Sequence, residues 1–303
     1  MEPFFSVVIP TYNRVDVLSR SIDSVLKQTF IDFELIIIDN GSTDGTQAWL
    51  ENYYQDSRLT YHYQEGSGSP ASPRNKGMLL AKGSWTCLLD SDDMWVDTKL
   101  NDIYEVIKND NLDVVCHNER VFYEDSNSYG NIFKYGPTSR DFYKDMLIFG
   151  NRLSTSATSI RTEFLQRNHL AFNESNDFAI VEDYDLWLNL ARAGANFKFL
   201  SKSLGFYTVG GSNMISDSEL YCNNLGNLLK FHAFSVQKFT SNKAGLWQIL
   251  KLRSDFCKIR FSKNGRSFKV FSIMKIAITH PINFSILFIE RIKKKSLSYL
   301  GVR

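Results

Sequence analysis

Phe5-Ser6-Val7-Val8-Ile9-Pro10-Thr11-Tyr12-Asn13-Arg14 opens the chain with a β-branched apolar run closed by proline and followed at once by polar residues. A run of this kind reads as a strand. Val15, Leu18, Ile22, Val25 and Leu26 then recur at helical spacing, which predicts an amphipathic helix. Residues 33–38 form a second apolar run ending at Asp39, and a Gly/Ser/Asn loop leads into a helix from about Thr46. Residues 59–64, 85–89 and 113–117 continue the series, the fourth run ending at Asp90. Strands apolar on both faces and separated by helices predict an α/β fold: a mostly parallel central sheet with helices on both faces.

Further along, residues 121–134 hold two short strand-like pieces around a polar turn, a hairpin or flap. Helical patterns follow near 141–149, 163–168 and 183–193, and Gly194 stands where a helix end favours a left-handed residue. Short strands are expected at 197–200 and 204–209, and helices beyond 217. The 303 residues suffice for one large α/β domain and an accessory region. We divide them into a ligand-binding half (1–95), a second half (96–212) and a C-terminal helical region (213–303). With 43% apolar residues, 6 prolines and 17 glycines, composition excludes extended disorder and fibrous repeats.

The formal charge of +2 conceals an asymmetry. Residues 251–303 carry 13 Lys+Arg against 2 Asp+Glu, and the remainder 22 against 31. A basic tail on an acidic body argues against a general nucleic-acid binder. No apolar run approaches the ~20 residues of a spanning helix. The first ten residues lack the basic start of a secretory signal, so a cytosolic protein is expected. Cys87, Cys116, Cys222 and Cys257 show no paired spacing, which predicts reduced, mostly buried thiols rather than a zinc site or disulfide framework.

In a doubly wound sheet, ligands bind beyond the carboxyl ends of the strands, where strand order reverses. Three strand ends here carry polar clusters: Pro10-Thr11-Tyr12-Asn13-Arg14, Asp39-Asn40-Gly41-Ser42-Thr43-Asp44 and Asp90-Ser91-Asp92-Asp93. Any one of them is also ordinary loop chemistry, since Asp, Asn, Ser and Gly suit turns and caps. Three on one sheet edge point to a site. Asp90, Asp92 and Asp93 repel one another unless a cation compensates them, and hard oxygen ligands suit Mg²⁺ or Mn²⁺. An acidic first helical turn explains Asp93 or Asp97, but not Asp90 at the end of an apolar strand. Neither G-x-G-x-x-G after the first strand nor G-x-x-x-x-G-K-[ST] is present, which disfavours dinucleotide oxidoreductases and P-loop NTPases.

Together with Arg74-Asn75-Lys76-Gly77 and Glu182-Asp183-Tyr184-Asp185-Leu186-Trp187, these clusters match glycosyltransferase family 2 in order and spacing from residue 5 to about 210. The chain resembles that family, whose GT-A fold is Rossmann-like. The resemblance implies that Pro10, Thr11, Tyr12 and Arg14 line a nucleotide pocket, with Tyr12 stacking on a pyrimidine. It implies that Asp39 accepts the ring N–H of uracil and that Arg74 lies near the base or diphosphate. Asp90, with Ser91 beside it, would contact ribose; Asp92 and Asp93 would hold Mn²⁺ or Mg²⁺ against the diphosphate. Asp183, with Glu182 beside it, matches the catalytic base. There are departures. Asn40 stands where many members have a second Asp, residues 207–216 lack the basic or histidine residue often found there, and no Gln-x-x-Arg-Trp segment exists.

The implied reaction is transfer of one sugar from a UDP-sugar to a saccharide hydroxyl with inversion. UDP-glucose is the leading donor, and a GlcNAc- or GalNAc-diphosphate-lipid of O-antigen or capsule assembly is the acceptor. The plainer reading of Glu182-Asp183 is the acidic first turn of a helix. A sugar nucleotidyltransferase and a non-catalytic glycan-binding module are the alternatives. In the tail, Phe268, Val270, Phe271, Ile273, Met274, Ile276 and Ala277 precede Phe284, Ile286, Leu287, Phe288 and Ile289, then Arg291, Lys293, Lys294 and Lys295. Apolar residues ahead of a basic cluster suit a helix lying on an anionic membrane surface, here the cytoplasmic face of a bacterial inner membrane.

Overall fold

The computed structural model describes residues 2–210, 218–234, 243–261, 266–279 and 285. The chain divides into two compact units: residues 1–138, 152–174 and 189–213, and residues 139–151, 175–188 and 214–303. Strands from residues 1–95 and from residues 96–212 share one sheet. Segments 139–151 and 175–188 group instead with the C-terminal helices.

In the first unit the elements run β1 (Phe5–Thr11), α1 (Val15–Leu26), β2 (Phe33–Asp39), α2 (Thr46–Tyr53), β3 (Leu59–Tyr63), α3 (Ala71–Leu80) and β4 (Trp85–Leu88). Then come β5 (Met94–Trp95), α4 (Lys99–Ile107), β6 (Val114–Tyr123) and β7 (Ser128–Phe133). After α5 (Phe142–Phe149) of the second unit follow β8 (Thr158–Arg161), α6 (Thr162–Arg167), α7 (Glu182–Arg192) and β9 (Phe197–Val209). The sheet order is β3-β2-β1-β4-β8-β6-β9-β5, with β7 paired to β6. It is parallel through β3-β2-β1-β4 and between β6 and β9. It is antiparallel where β8 separates β4 from β6, in the β6–β7 hairpin and between β5 and β9.

Alternation along the strands builds the two layers. Val7, Ile9, Leu35 and Ile37 share a buried cluster with Leu18, Ile22 and Val25 of α1 and Leu100 and Ile103 of α4. Ile36 and Ile38 join Ala81 in a separate cluster. Fully burying each such side chain contributes about 1.5–3 kcal/mol. Helix α3 approaches β1 so closely that a Cβ on Gly77 would lie 2.2 Å from Val8 Cγ1. Register then sets the functional edge: Thr11 pairs with Asp39, and Asp39 with Tyr63.

Some elements differ from their sequence reading. The two short strands expected at 197–200 and 204–209 are one strand, β9, whose pairing with β6 shifts register around Asn118. The Asn118 amide donates to the Ser201 carbonyl at 2.9 Å, so a polar interruption is absorbed without ending the strand. Helix α3 contains Pro73 and Gly77, which mask its helical pattern, and β5 is two residues long.

The second unit contains α5, a 3₁₀ turn at Asn176–Phe178, the start of α7, α8 (Ser218–Phe234), α9 (Lys243–Phe261) and α10 (Arg266–Thr279). The expectation of four reduced thiols is corrected here. Cys222 of α8 and Cys257 of α9 form a disulfide with Cα atoms 5.7 Å apart, while Cys87 and Cys116 are free and buried. The pair is 35 residues apart, and only helix packing brings it together. Met274 and Ile278 of α10 are exposed. Apart from Ser285, the apolar and basic stretch 284–295 lies outside the described residues. Among the described residues no helix is long and apolar enough to cross a membrane.

Gly77→Ala is expected to destabilise the fold by roughly 1–3 kcal/mol through overpacking. Chemical denaturation should show this loss, and partial recovery when Val8→Ala is added. Equal stability of Gly77→Ala and wild type would refute the close packing.

Candidate active site

The ends of β1 and β2 are stitched together by side chains in the loops that follow them. The Asn13 N–H donates to Ser42 Oγ at 2.9 Å, and the Thr43 N–H to Asn13 Oδ1 at 2.8 Å. Asn13 reaches this geometry at a positive φ of 49°, which asparagine tolerates better than most residues. Asp44 Oδ2 accepts from the Val15 N–H at 3.0 Å, and its Oδ1 accepts from the N–H and hydroxyl of Thr46. Burial pushes the Asp44 carboxyl up, but these hydrogen bonds outweigh it and hold the carboxyl below its ordinary value. Asp44 therefore serves the scaffold.

Pro10 and Thr11 are buried, whereas the Tyr12 side chain is 56% exposed on this edge. Asp39 is buried; its Oδ1 accepts from the Ser42 N–H and its Oδ2 from the Tyr61 hydroxyl, both at 2.8 Å. The carboxylate is thus oriented from two sides. Asn40 accounts for one departure from the family pattern. Its Oδ1 accepts from Gln64, the Ser67 N–H and the Ser67 hydroxyl, while its Nδ2 donates to the Ser69 carbonyl at 3.3 Å. An aspartate could not make that last bond, because an ionised carboxylate only accepts. Asn40 shapes the 64–69 loop.

Arg74, on α3, donates to Asp90 Oδ1 at 2.6 Å and lies over the Phe172 ring at 5.3 Å. Its guanidinium is almost fully buried, so its described partner is the ribose-assigned carboxylate. Asp92 is half-buried, and its carboxyl is raised by burial and by the charge of Asp90, against a lowering influence of Arg14. That is accumulated negative charge at a hard oxygen donor.

Asp93, named with Asp92 as holding the metal, is buried, with Oδ1 accepting from the Thr208 N–H at 2.8 Å and Oδ2 from the Ser156 hydroxyl at 2.5 Å. Ser156 Oγ also accepts from the Asp90 N–H at 3.1 Å, and Ser21 donates to the carbonyls of Ser91 and Asp93. Burial, reinforced by Glu119, Asp92 and Asp90, raises the Asp93 carboxyl well above the usual range. Asp93 anchors the loop, and the adjacent Asp92 is only half-buried. Among the described residues, no three His, Cys, Asp or Glu side chains are grouped to hold a metal ion. Asp92 fits a site completed by water and substrate oxygens, the usual arrangement for Mg²⁺.

Behind the loop, Glu119 is buried and accepts from the Tyr135 hydroxyl at 2.7 Å. Lys99 is fully buried, donates to Ser159 Oγ at 3.0 Å and sits 3.6 Å from the centre of the Trp95 ring. Neither residue carries a local sequence signal. Ser156, Thr208 and Tyr61 were missed for the same reason: each acts on a site residue far away in sequence.

In the second unit, Glu182 is buried and Asp183 half-buried. Asp183 Oδ1 accepts from the Tyr184 N–H at 2.6 Å, and its Oδ2 from Asn151 at 3.4 Å. Of the two, Asp183 has the accessible carboxylate. Its turn is braced from the C-terminal helices. His232 Nε2 meets Asp185 Oδ1 at 2.8 Å, and His232 Nδ1 meets the Tyr143 hydroxyl at 3.0 Å. Arg253 donates to the Tyr184 hydroxyl at 2.9 Å, and Asn224 to the carbonyls of Asn176 and Ala179.

The buried carboxylates generate a pH dependence. Burial raises Glu119 from 4.5 to about 7, although hydrogen bonds from Tyr135 and Ser154 favour the ion. Between those values the folded chain holds a proton that the unfolded chain has released, so stability falls as pH rises through that window. Urea unfolding across pH 4.5 to 7 should give a shallower decline for Glu119→Gln than for wild type. Parallel profiles would remove Glu119 as the source.

The chain's likenesses agree with this geometry. The family profile described as Glycosyl transferase family 2 matches residues 6–167. The chain is 34% identical over 143 residues to the glycosyltransferase GlyG of Streptococcus pneumoniae serotype 4, covering 47% of this chain and 46% of that one. The chain thus spans less than half the length of that relative. It is 30% identical over 227 residues to the UDP-Glc:alpha-D-GlcNAc-diphosphoundecaprenol beta-1,3-glucosyltransferase WfaP of Escherichia coli, covering 74% of this chain and 85% of the relative. Among solved structures, S. aureus TarS 1–349 in complex with UDP-GlcNAc superposes with a TM-score of 0.66 at 21% identity, over 95% of this chain and 79% of that one. The chain belongs to glycosyltransferase family 2 and has the GT-A type of sheet.

Proposed function

We propose that this glycosyltransferase moves a single hexose, glucose first among the candidates, from a UDP-sugar to a hydroxyl of a saccharide acceptor with inversion, forming a β-linkage. The acceptor proposed is a GlcNAc- or GalNAc-diphosphate-lipid in O-antigen or capsule repeat-unit assembly. One observation carries the reading. Exposed Tyr12, doubly oriented Asp39, Arg74-paired Asp90 and half-buried Asp92 belong to one edge of the parallel strands. That edge is where α/β sheets bind ligands. The activity named for the E. coli relative supports the donor and the lipid-diphosphate acceptor.

In this reading, Tyr12 stacks on the uracil, Asp39 accepts its ring N–H, and Asp90 contacts the ribose while Arg74 holds it in place. Pro10, Thr11, Arg14 and Ser91 complete the pocket wall. Members of the family commonly use a divalent metal; Asp92 would hold Mn²⁺ or Mg²⁺, which neutralises charge on the departing diphosphate. Asp183 removes the proton from the attacking hydroxyl, and such a base supplies about 10²–10⁴ in rate. The buried Glu182 supports that turn. We also propose peripheral attachment at the cytoplasmic face of the inner membrane through the basic C-terminal region, which suits a lipid-linked acceptor.

Asp92→Ala is expected to abolish turnover and weaken Mn²⁺-dependent UDP binding, measured by calorimetry alongside UDP release. Full activity in EDTA would refute the metal role. Asp183→Asn is nearly isosteric and should lower kcat by about 10²–10⁴ while leaving UDP affinity unchanged. Normal turnover in a folded Asp183→Asn protein would show that the base lies elsewhere.

A further inference from the structure

One face of the β7–β6–β9 ribbon in the first unit is aromatic and open, and it adjoins the acidic loop. Parallel pairing sets Val121 beside Tyr207 and Tyr123 beside Val209, and the hairpin sets Phe133 opposite Glu119. Paired residues project to the same side of a sheet, so Phe133, Tyr123, Tyr207 and Val209 share one face. Tyr123 and Phe133 are each 43% exposed and Val209 37%, although Val121 among them is buried. The Phe133 and Tyr207 ring centroids are 5.5 Å apart. A Cβ on Gly130 would lie 2.7 Å from Tyr123 Cε2, so the bare glycine allows the tyrosine ring to lie across the hairpin.

We propose that Phe133, Tyr207 and Tyr123 form a stacking platform for a neutral pyranose ring, the sugar that carries the attacking hydroxyl. The proposal rests on the transfer reading for naming that sugar the acceptor. Exposed apolar patches that adjoin a polar site mark binding surfaces. The C–H face of a pyranose is apolar and slightly positive, which complements the negative face of an aromatic ring. Position ties the platform to the chemistry: the Thr208 N–H, one residue after Tyr207, is the donor to Asp93 Oδ1.

Ring chemistry selects the occupant: Phe133, Tyr123 and Tyr207 offer aromatic faces, the two tyrosines with phenolic hydroxyls at their edge, which suit the C–H face and the hydroxyl rim of a pyranose. The opposite face differs. There Tyr129 packs against Phe122 and Phe206, and the guanidinium groups of Arg120 and Arg20 already lie over the Tyr129 and Phe122 rings.

The test is saturation-transfer NMR with the methyl glycosides of glucose, galactose and N-acetylglucosamine on wild type, Phe133→Ala and Phe133→Tyr. At least one glycoside should show transfer to ring C–H protons, fall about five-fold or more in Phe133→Ala and persist in Phe133→Tyr. UDP affinity should be equal in all three, which shows that the variants fold. No transfer to any glycoside in wild type, or equal transfer in Phe133→Ala, would overturn the platform. So would Phe133→Ala acting only on liposome binding or on self-association. Phe133-dependent glycoside binding without UDP release on any acceptor would keep the platform and sink the transfer reading. Normal transfer with an unchanged acceptor KM in Phe133→Ala would keep the transfer reading and sink the platform.

Discussion

The buried carboxylate of Asp93 ties the acidic loop to the rest of the first unit. Asp93 joins the Ser156 hydroxyl just ahead of β8 to the backbone of β9, while Ser156 also accepts from the Asp90 N–H. A buried carboxylate needs its oxygens satisfied, and these two donors set its position. The neighbouring acids, Asp90 and Asp92, are consequently presented from a rigid loop. The cost is a buried acidic cluster, with Asp93 and Glu119 both raised first by burial and then by neighbouring carboxylates.

Rigidity of this kind recurs along the edge. Asp39 is oriented from two sides, Arg74 is committed to Asp90, and the two loops beyond β1 and β2 cross-link through Asn13, Ser42 and Asp44. Tyr12, by contrast, is widely exposed on the same edge. For the proposed transfer, groups held in place before a ligand arrives would cost no reorganisation in the transition state.

The second unit is also built around a buried polar arrangement. Asp185, His232 and Tyr143 form a chain of hydrogen bonds, and Arg253 and Asn224 reach the same region of helix α7 and its approach. The C-terminal helices therefore brace the turn that carries Asp183. This explains why residues 175–188 group with them rather than with the sheet. A disulfide between α8 and α9 adds to that bracing.

Sequence alone determined the strands through β4, the first two helices, the polar strand ends and the ordered motifs, because period and turn chemistry are local properties. It could not separate Asp92 from Asp93. The two are adjacent and chemically identical, and they differ only in that Ser156 and Thr208, 63 and 115 residues away from Asp93, bury one of them. The same holds for Arg74, whose carboxylate partner is set by how α3 packs on β1. It holds for Tyr61, whose hydroxyl reaches Asp39 across the sheet. Asn40 shows the reverse, since a departure from the family pattern becomes intelligible once its four hydrogen bonds are seen. Residue type and spacing announce which chemistry is present. Which member of a cluster meets the ligand and which is spent holding the loop depends on burial and long-range hydrogen bonding, and those exist only in the folded chain.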